Sequence, residues 1–197
     1  MIRLSLIFAC LAGPTFAQAV NDPDWPCIQR RQPQLSVAQV WAGPVPDDQT
    51  DQLADDPTVQ RLAQAIALRR TPLEDARTMI ADFATDADNA RLSALFVATF
   101  DHLQTTRDRV MAGITRYAHK QEALNDEIEE KRHQFNRLMQ EQDKDFDAID
   151  ALEVDIDWST RIFQDRQQAL TYVCETPVIL EQRAFAIGRA IAAHLRD

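Results

Sequence analysis

The feature that most constrains this chain is the stretch between Gly113 and Pro177, which contains neither glycine nor proline. These are the two residue types that most often interrupt helices. Two positions of a seven-residue repeat run through the stretch, mostly apolar and without a change of register. The first position holds Ile114, Gln121, Ile128, Phe135, Gln142, Ile149, Ile156, Phe163 and Leu170, and the second holds Tyr117, Leu124, Lys131, Leu138, Asp145, Leu152, Ser159, Arg166 and Val173. The repeat predicts long helices packed side by side at shallow angles.

The length of this stretch indicates that the chain folds back on itself. A single helix from Asp88 to Cys174 would be about 130 Å long, and an isolated one would leave its apolar stripe in water. We therefore expect a helical hairpin over about residues 88–175. A dimeric coiled coil is the alternative that would bury the same stripe.

Two segments are candidates for the bend of this hairpin. The repeat becomes polar at Gln142 and Asp145, which favours a bend within Gln140–Asp147. The second choice is Val154–Asp157, because β-branched and aspartate residues are mediocre helix formers.

Shorter helices are predicted on both sides of the hairpin. Asp56-Pro57 is an N-cap followed by proline at the first helical position, which begins a helix over about residues 57–70. Thr71 and Glu74 have the spacing of a capping box and begin a second helix over about residues 72–84. Pro177 is expected to separate a C-terminal helix, about residues 177–195, from the hairpin.

Small residues at four-residue spacing mark one side of that last segment. Ala184, Gly188 and Ala192 predict a close approach to another helix in the core. No strand-like alternation of useful length is present, so the predicted fold class is all-α: a helical bundle with a long antiparallel hairpin.

The N-terminus has the parts of a secretory signal peptide over residues 1–19. Arg3 supplies the positive charge, Leu4–Ala12 the apolar run, and Ala17-Gln18-Ala19 a small-x-small cleavage site. The run is too short to span a membrane. Lipidation at Cys10 is the alternative, although Phe8 is bulky for that signal. Cleavage predicts a periplasmic or secreted protein without a transmembrane segment.

The mature chain would keep two cysteines, Cys27 and Cys174. In an oxidising compartment the simplest interpretation is one disulfide. It would close a ring of roughly 150 residues, which corresponds to about 5 kcal/mol in the chain-entropy model. A two-thiolate metal site is the alternative, but there is no CxxC motif or nearby Cys/His cluster.

Residues 20–56 form a separate region, rich in proline, aspartate and glutamine. The prolines exclude a long helix or a central strand. We therefore expect an irregular N-terminal arm with one short helix over Ser36–Trp41, and the disulfide would tie this arm to the helical domain of residues 57–197.

The start of this arm resembles the start of certain secreted proteobacterial proteins of unknown function. The resemblance rests on the segment Asp24-Trp25-Pro26-Cys27-Ile28-Gln29-Arg30, followed by Leu35-Ser36 and Trp41-Ala42-Gly43. That resemblance implies export and a cysteine-bearing arm, and it implies no catalytic or binding residue.

Two groups of residues are weak candidates for a metal site. Glu130 and His133 form a Glu-x-x-His pair, but di-iron bundles use two such pairs and this chain has one. Asp143, Asp145 and Asp147 resemble the first half of an EF-hand loop, which then fails at Ala148 and Val154, where glycine and glutamate are needed. A solvated, charged surface is the favoured interpretation of both groups, and no cofactor is expected.

Catalytic motifs are lacking. The sequence contains no Gly-x-Ser-x-Gly motif and no glycine-rich phosphate loop. Trp25, Trp41 and Trp158 could form an aromatic patch, but such residues more often fill a core or its edge. The formal net charge of −10 makes nucleic acid a poor partner.

These features predict an exported, non-enzymatic helical protein that interacts with another protein of the cell envelope or with itself. It would act as an adaptor, an assembly factor or a holdase-like helper. The alternative is a periplasmic ligand- or metal-binding bundle, which includes a sensory one. The two hypotheses differ in whether the candidate metal ligands converge inside the bundle or point outward.

Overall fold

The computed structural model describes residues 22–196, and within them all regular structure is helical. The predicted signal peptide, residues 1–19, lies outside this range. There are six helices: α1 Val37–Val40, α2 Asp48–Ala54, α3 Pro57–Ala67, α4 Leu73–Ala84, α5 Asn89–Gln140 and α6 Phe146–Ala192. The last two pack together as a long antiparallel hairpin, so the predicted fold class is confirmed.

Aspartate caps begin four of these helices. The side chains of Asp47, Asp56, Asp88 and Asp145 each accept a hydrogen bond from a backbone N–H in the first turn of the helix that follows. Such caps satisfy N–H groups that have no partner inside the helix. The same hydrogen bonds hold the pKa values of Asp47 and Asp56 below their usual range.

The main hydrophobic core lies at one end of the hairpin. Nine consecutive residues of α5, Leu92–Phe100, are buried, which shows that neighbours surround this helix on every side. Those neighbours are α2, α3, the C-terminal part of α6 and the residues Val40 and Trp41 at the end of α1. Trp41 stacks on Phe96 with ring centroids 4.4 Å apart. We call this part of the molecule the base: α1–α4, residues 89–110 of α5 and residues 177–192 of α6.

Gly188 allows the close approach that the small residues predict. A Cβ atom added there would lie 3.0 Å from the carbonyl oxygen of Val40 and 3.2 Å from the ring of Phe96. Because Gly188 has no Cβ atom, Val40 of α1 and Phe96 of α5 can both pack closely against this part of α6.

The hairpin turns where the sequence favours a bend. α5 ends at Gln140 and α6 begins at Phe146, within the expected segment Gln140–Asp147, and the alternative at Val154–Asp157 is wrong because that segment is helical. We call residues 111–140 of α5 and 146–176 of α6 the stalk.

The prediction of a separate C-terminal helix over 177–195 is wrong. Pro177 lies inside α6, which runs without interruption to Ala192. A proline in a helix interior removes one hydrogen bond and costs about 3 kcal/mol. Here Pro177 is buried, as are Cys174 and Leu180 three residues to either side, and the packing of this side of α6 offsets the cost.

The shorter helices differ from expectation in three places. α3 ends at Ala67 and not near residue 70. The Thr71 hydroxyl donates to the carbonyl of Ala65, so it does not form the predicted capping box. Helix α2 lies inside the arm expected to be irregular, and it was missed because its buried positions are Thr50 and Ala54 and carry no strong apolar stripe.

A buried arginine ties the end of α3 to α6. The guanidinium of Arg183 donates to the carbonyl of Ile66 from Nε, at 3.0 Å, and to that of Thr71 from a terminal nitrogen, at 2.8 Å. The Ile66 carbonyl lies in the last turn of α3, where carbonyls lack partners within the helix and carry partial negative charge, and Thr71 lies in the loop that follows. Burial lowers the pKa of Arg183, so these carbonyls replace part of its lost hydration.

Candidate functional site: the stalk and its junction with the base

The N-terminal segment is fastened along the start of the stalk by a disulfide. Cys27 and Cys174 are bonded, with Cα atoms 5.5 Å apart, as the cysteine count predicts. We call residues 22–35 the strap. The disulfide joins the strap to α6 at the point where the stalk meets the base.

Side chains of α5 hold the strap in an antiparallel course. The imidazole of His119 lies 2.6 Å from the carboxylate of Asp24, and the Thr115 hydroxyl donates to the Asp24 carbonyl. Further along, the side-chain oxygen of Gln104 accepts from the N–H of Leu35. The strap thus runs from residue 119 of α5 back toward residue 104.

Arg107 anchors the middle of the strap from beneath. Its side chain is buried, and its guanidinium donates to the backbone carbonyls of Gln32 and Pro33. Burial lowers its pKa, an effect that the charges of Glu181 and Asp108 oppose. The seven-residue repeat gave a signal for this residue, because Arg107 precedes Ile114 by one repeat and therefore falls on the buried stripe.

For residues 120–140 of α5, every described hydrogen bond or ion pair to another element reaches α6. The amide of Gln121 donates to the carbonyl of Phe163, and Lys131 donates to the hydroxyl of Ser159. Residues 120–140 of α5 extend for about 30 Å. The far part of the stalk therefore projects from the base as a two-helix hairpin.

Lys131 is the polar centre of this projecting part. Its ammonium group lies 2.7 Å from Glu127 and 2.9 Å from Asp155, and these hydrogen bonds raise its pKa. Lysine at an apolar position of a helical repeat fixes the register of the partner helices at a cost in stability.

The candidate metal ligands do not converge. Glu130 and His133 are exposed, and Glu130 pairs with Arg137 at 3.1 Å. Asp143, Asp145 and Asp147 are exposed at the turn, where Asp145 is occupied as the cap of α6. No group of three or more metal-ligating side chains lies close together within residues 22–196.

Exposed apolar side chains occupy the far end of the stalk instead. Phe146 at the turn is 67% exposed, and Val154 and Trp158 of α6 are 70% and 62% exposed. Eight acidic residues and one lysine lie between Glu141 and Asp157. The far part of α6 is thus an acidic surface that carries uncovered hydrophobic groups.

The three tryptophans have different environments and do not form one patch. Trp41 is buried in the base, and the indole N–H of Trp25 donates to the carbonyl of Gln29 in the strap. The expectation that Trp158 fills a core or its edge is wrong, because it points away from α5. One helical turn separates Trp158 from Val154, and this spacing was the signal for an outward apolar pair.

A shallow groove of about 540 Å³ lies where the stalk meets the base. Gly113 forms part of its floor and leaves room between the long helices. Tyr172, which is 76% exposed, lines it on the α6 side. The other lining residues are Arg69, Val110, Tyr117, Val173 and Thr176. We call this the junction groove; its apolar and aromatic walls with one arginine suit an apolar side chain flanked by acidic groups.

Comparisons with family models, with curated proteins and with solved structures found no match to this chain. Within residues 22–196, no helix combines the length and the apolar character that crossing a membrane requires.

Proposed function

We propose that the protein is an exported, non-enzymatic interaction factor that presents the far end of its stalk to another protein of the cell envelope. It would serve there as an adaptor or as an assembly or holdase-like factor. The observation that carries this proposal is the exposed, acidic hairpin end with Phe146 and Met139 uncovered beside the turn. Exposed apolar side chains within a polar rim are typical of protein interaction sites.

Export to the periplasm or beyond is part of the proposal. It is supported by the signal-like residues 1–19 and is compatible with the disulfide, since disulfides persist mainly in oxidising compartments. The alternative function, a ligand- or metal-binding bundle, needs inward-facing groups. The outward position of Glu130 and His133 favours the interaction function.

The test combines a deletion variant with site-specific cross-linking in cells that express the protein. Residues Arg132–Ile156 are replaced by a short glycine–serine turn, which leaves the base intact. Separately, a photoreactive amino acid replaces Phe146 or, as the matched control, Met79, an exposed residue of α4. We expect a defined envelope-protein adduct from position 146, none from position 79, and the loss of that partner's copurification in the deletion variant.

A deletion variant with unchanged phenotype and partners, together with equal cross-linking from both positions, would contradict the proposal.

A further inference from the structure

A second line of residues with seven-residue spacing runs along the outer side of α6. Trp158, Asp165, Tyr172 and Ile179 are successive members of one position, and in a straight helix such residues stay within about 60° of one another over three repeats. They lie on the opposite side of α6 from the buried residues Ile149 and Leu170, which are on the side that packs against α5, and from Cys174, which is bonded to the strap. We call the outer line, from Ala151 to Ile179, the seam; it is about 42 Å long.

The seam is apolar at both ends and charged in the middle. Val154 and Trp158 form one apolar end, and Tyr172 and Ile179, with the junction groove beside them, form the other. Arg161 and Asp165 lie between them. The two ends are complementary in form, because one presents exposed side chains and the other a groove.

The charges around the two ends are also complementary. Asp147, Asp150, Glu153 and Asp157 are exposed near the far end and form no ion pair within residues 22–196. Arg69 lines the junction groove, and Arg70, Arg109 and Arg116 adjoin lining residues in the sequence. The carbonyl of Arg166 accepts a hydrogen bond from the lining residue Tyr117. All five arginines are exposed and form no ion pair among the described residues.

From this arrangement we infer that a second copy of the chain docks antiparallel along the seam. A two-fold axis near Asp165 and Arg166 would place Val154 and Trp158 of each copy against the junction groove of the other. Each copy carries both ends of the seam on one helix. The two copies therefore use the same surface, and the contact is an isologous dimer that adds no further copies. Asp165 of one copy then lies opposite Arg166 of the other, so that each carboxylate near the axis is compensated by an arginine.

The inference deepens the proposed function: two copies would present two stalk ends on opposite sides of one assembly. It differs from a parallel coiled coil because the like-charged ends of the two copies are kept apart. It also leaves Phe146 and Met139 at each turn free for a separate partner.

The first test measures the mass of the purified, disulfide-bonded mature protein by sedimentation equilibrium across a wide concentration range. We expect a dimer that weakens as salt is added. Trp158→Glu should weaken dimerisation at least about tenfold, because it places a charge in the apolar end of the seam. Phe146→Glu, an equally exposed apolar site off the seam, should leave the dimer unchanged. Circular dichroism establishes that both variants remain folded.

The second test fixes the antiparallel register. Asp165→Cys lies near the two-fold axis and should give a covalent dimer on mild oxidation, whereas Glu153→Cys, exposed on α6 but off the seam, should not. A monomer at all concentrations would overturn the inference. So would a dimer that survives Trp158→Glu and shows no cross-link through position 165.

These measurements use the isolated protein, so their failure is distinct from failure of the proposed function. The cross-linking through Phe146 in cells reports on a different surface, and either result can be obtained without the other.

Discussion

The base and the stalk are built from the same two helices, yet they are stabilised in different ways. In the base, residues Leu92–Phe100 of α5 are buried on every side. In the stalk, α5 buries a single stripe, which includes Gln121 and is followed by Lys131. The comparison shows that the seven-residue repeat specifies which side of a helix faces its partner. The number of further neighbours then decides whether the remaining sides form a core or a presented surface.

The largest effect should come from the covalent link at the boundary of the two regions. Cys27→Ser combined with Cys174→Ala should lower the free energy of unfolding by up to about 5 kcal/mol, because the disulfide closes a loop with a sequence separation of 147 residues. Denaturant titration measures this loss, and reductant should destabilise the native protein but not the variant. A loss below about 1 kcal/mol would mean that the strap is held by its hydrogen bonds alone.

The second-largest loss of stability is expected from a substitution in the base. Arg183→Met should cost about 3 kcal/mol, because it leaves the carbonyls of Ile66 and Thr71 buried without donors. The matched control is Arg189→Met on the exposed side of the same helix, which should be nearly neutral. If both substitutions lowered the free energy of unfolding equally, Arg183 would not be the residue that links α3 to α6.

In the stalk, replacing the cation Lys131 should not lower the free energy of unfolding as Arg183→Met does in the base. Lys131→Leu replaces the polar centre of the helix pair, and the exposed carboxylates of Glu127 and Asp155 can return to water. We expect the free energy of unfolding to stay equal or to rise by up to about 1 kcal/mol. Arg132→Leu, its exposed neighbour, serves as the control in thermal unfolding. A loss of stability specific to position 131 would show that the ion pairs stabilise the stalk.

The smallest predicted effect depends on pH. Burial raises the pKa of Asp101, and the nearby charges of Asp51 and Asp55 add to this. Its carboxylate is therefore disfavoured in the folded state: the penalty is present above the folded pKa and disappears as pH falls through that pKa toward the ordinary value near 4. Asp101→Asn should slightly raise the free energy of unfolding at neutral pH, where solvent screening keeps the effect small, and should leave it unchanged at pH 3. A stabilisation that persists at pH 3 would assign the effect to something other than charge.

The sequence predicted the features that depend on periodicity and on caps. The repeat predicted the hairpin, its polar members Gln142 and Asp145 marked the turn, and the cysteine count predicted the disulfide. The course of α6 through Pro177 could not be predicted, because it depends on packing against α5 that outweighs a local rule.

The outer surface was harder to predict than the core. Arg107 lies on a buried repeat position and Arg183 on neither repeat position, and only the structure shows the carbonyls that accept their hydrogen bonds. The exposure of Trp158 likewise depends on which side of α6 faces α5. The types of residue in a sequence do not show which way each side chain points, and for this reason aromatic residues are expected in a core.

Hydrogen exchange measured by mass spectrometry tests the central distinction between base and stalk most directly. It should be carried out on Trp158→Glu, so that self-association adds no protection. We expect slow exchange for the amides of residues 92–103 and exchange that is faster by orders of magnitude for residues 122–140, which only α6 covers. Equal protection of these two parts of α5 would contradict the account, because it would show one cooperative unit and not a stable base that presents a separate stalk.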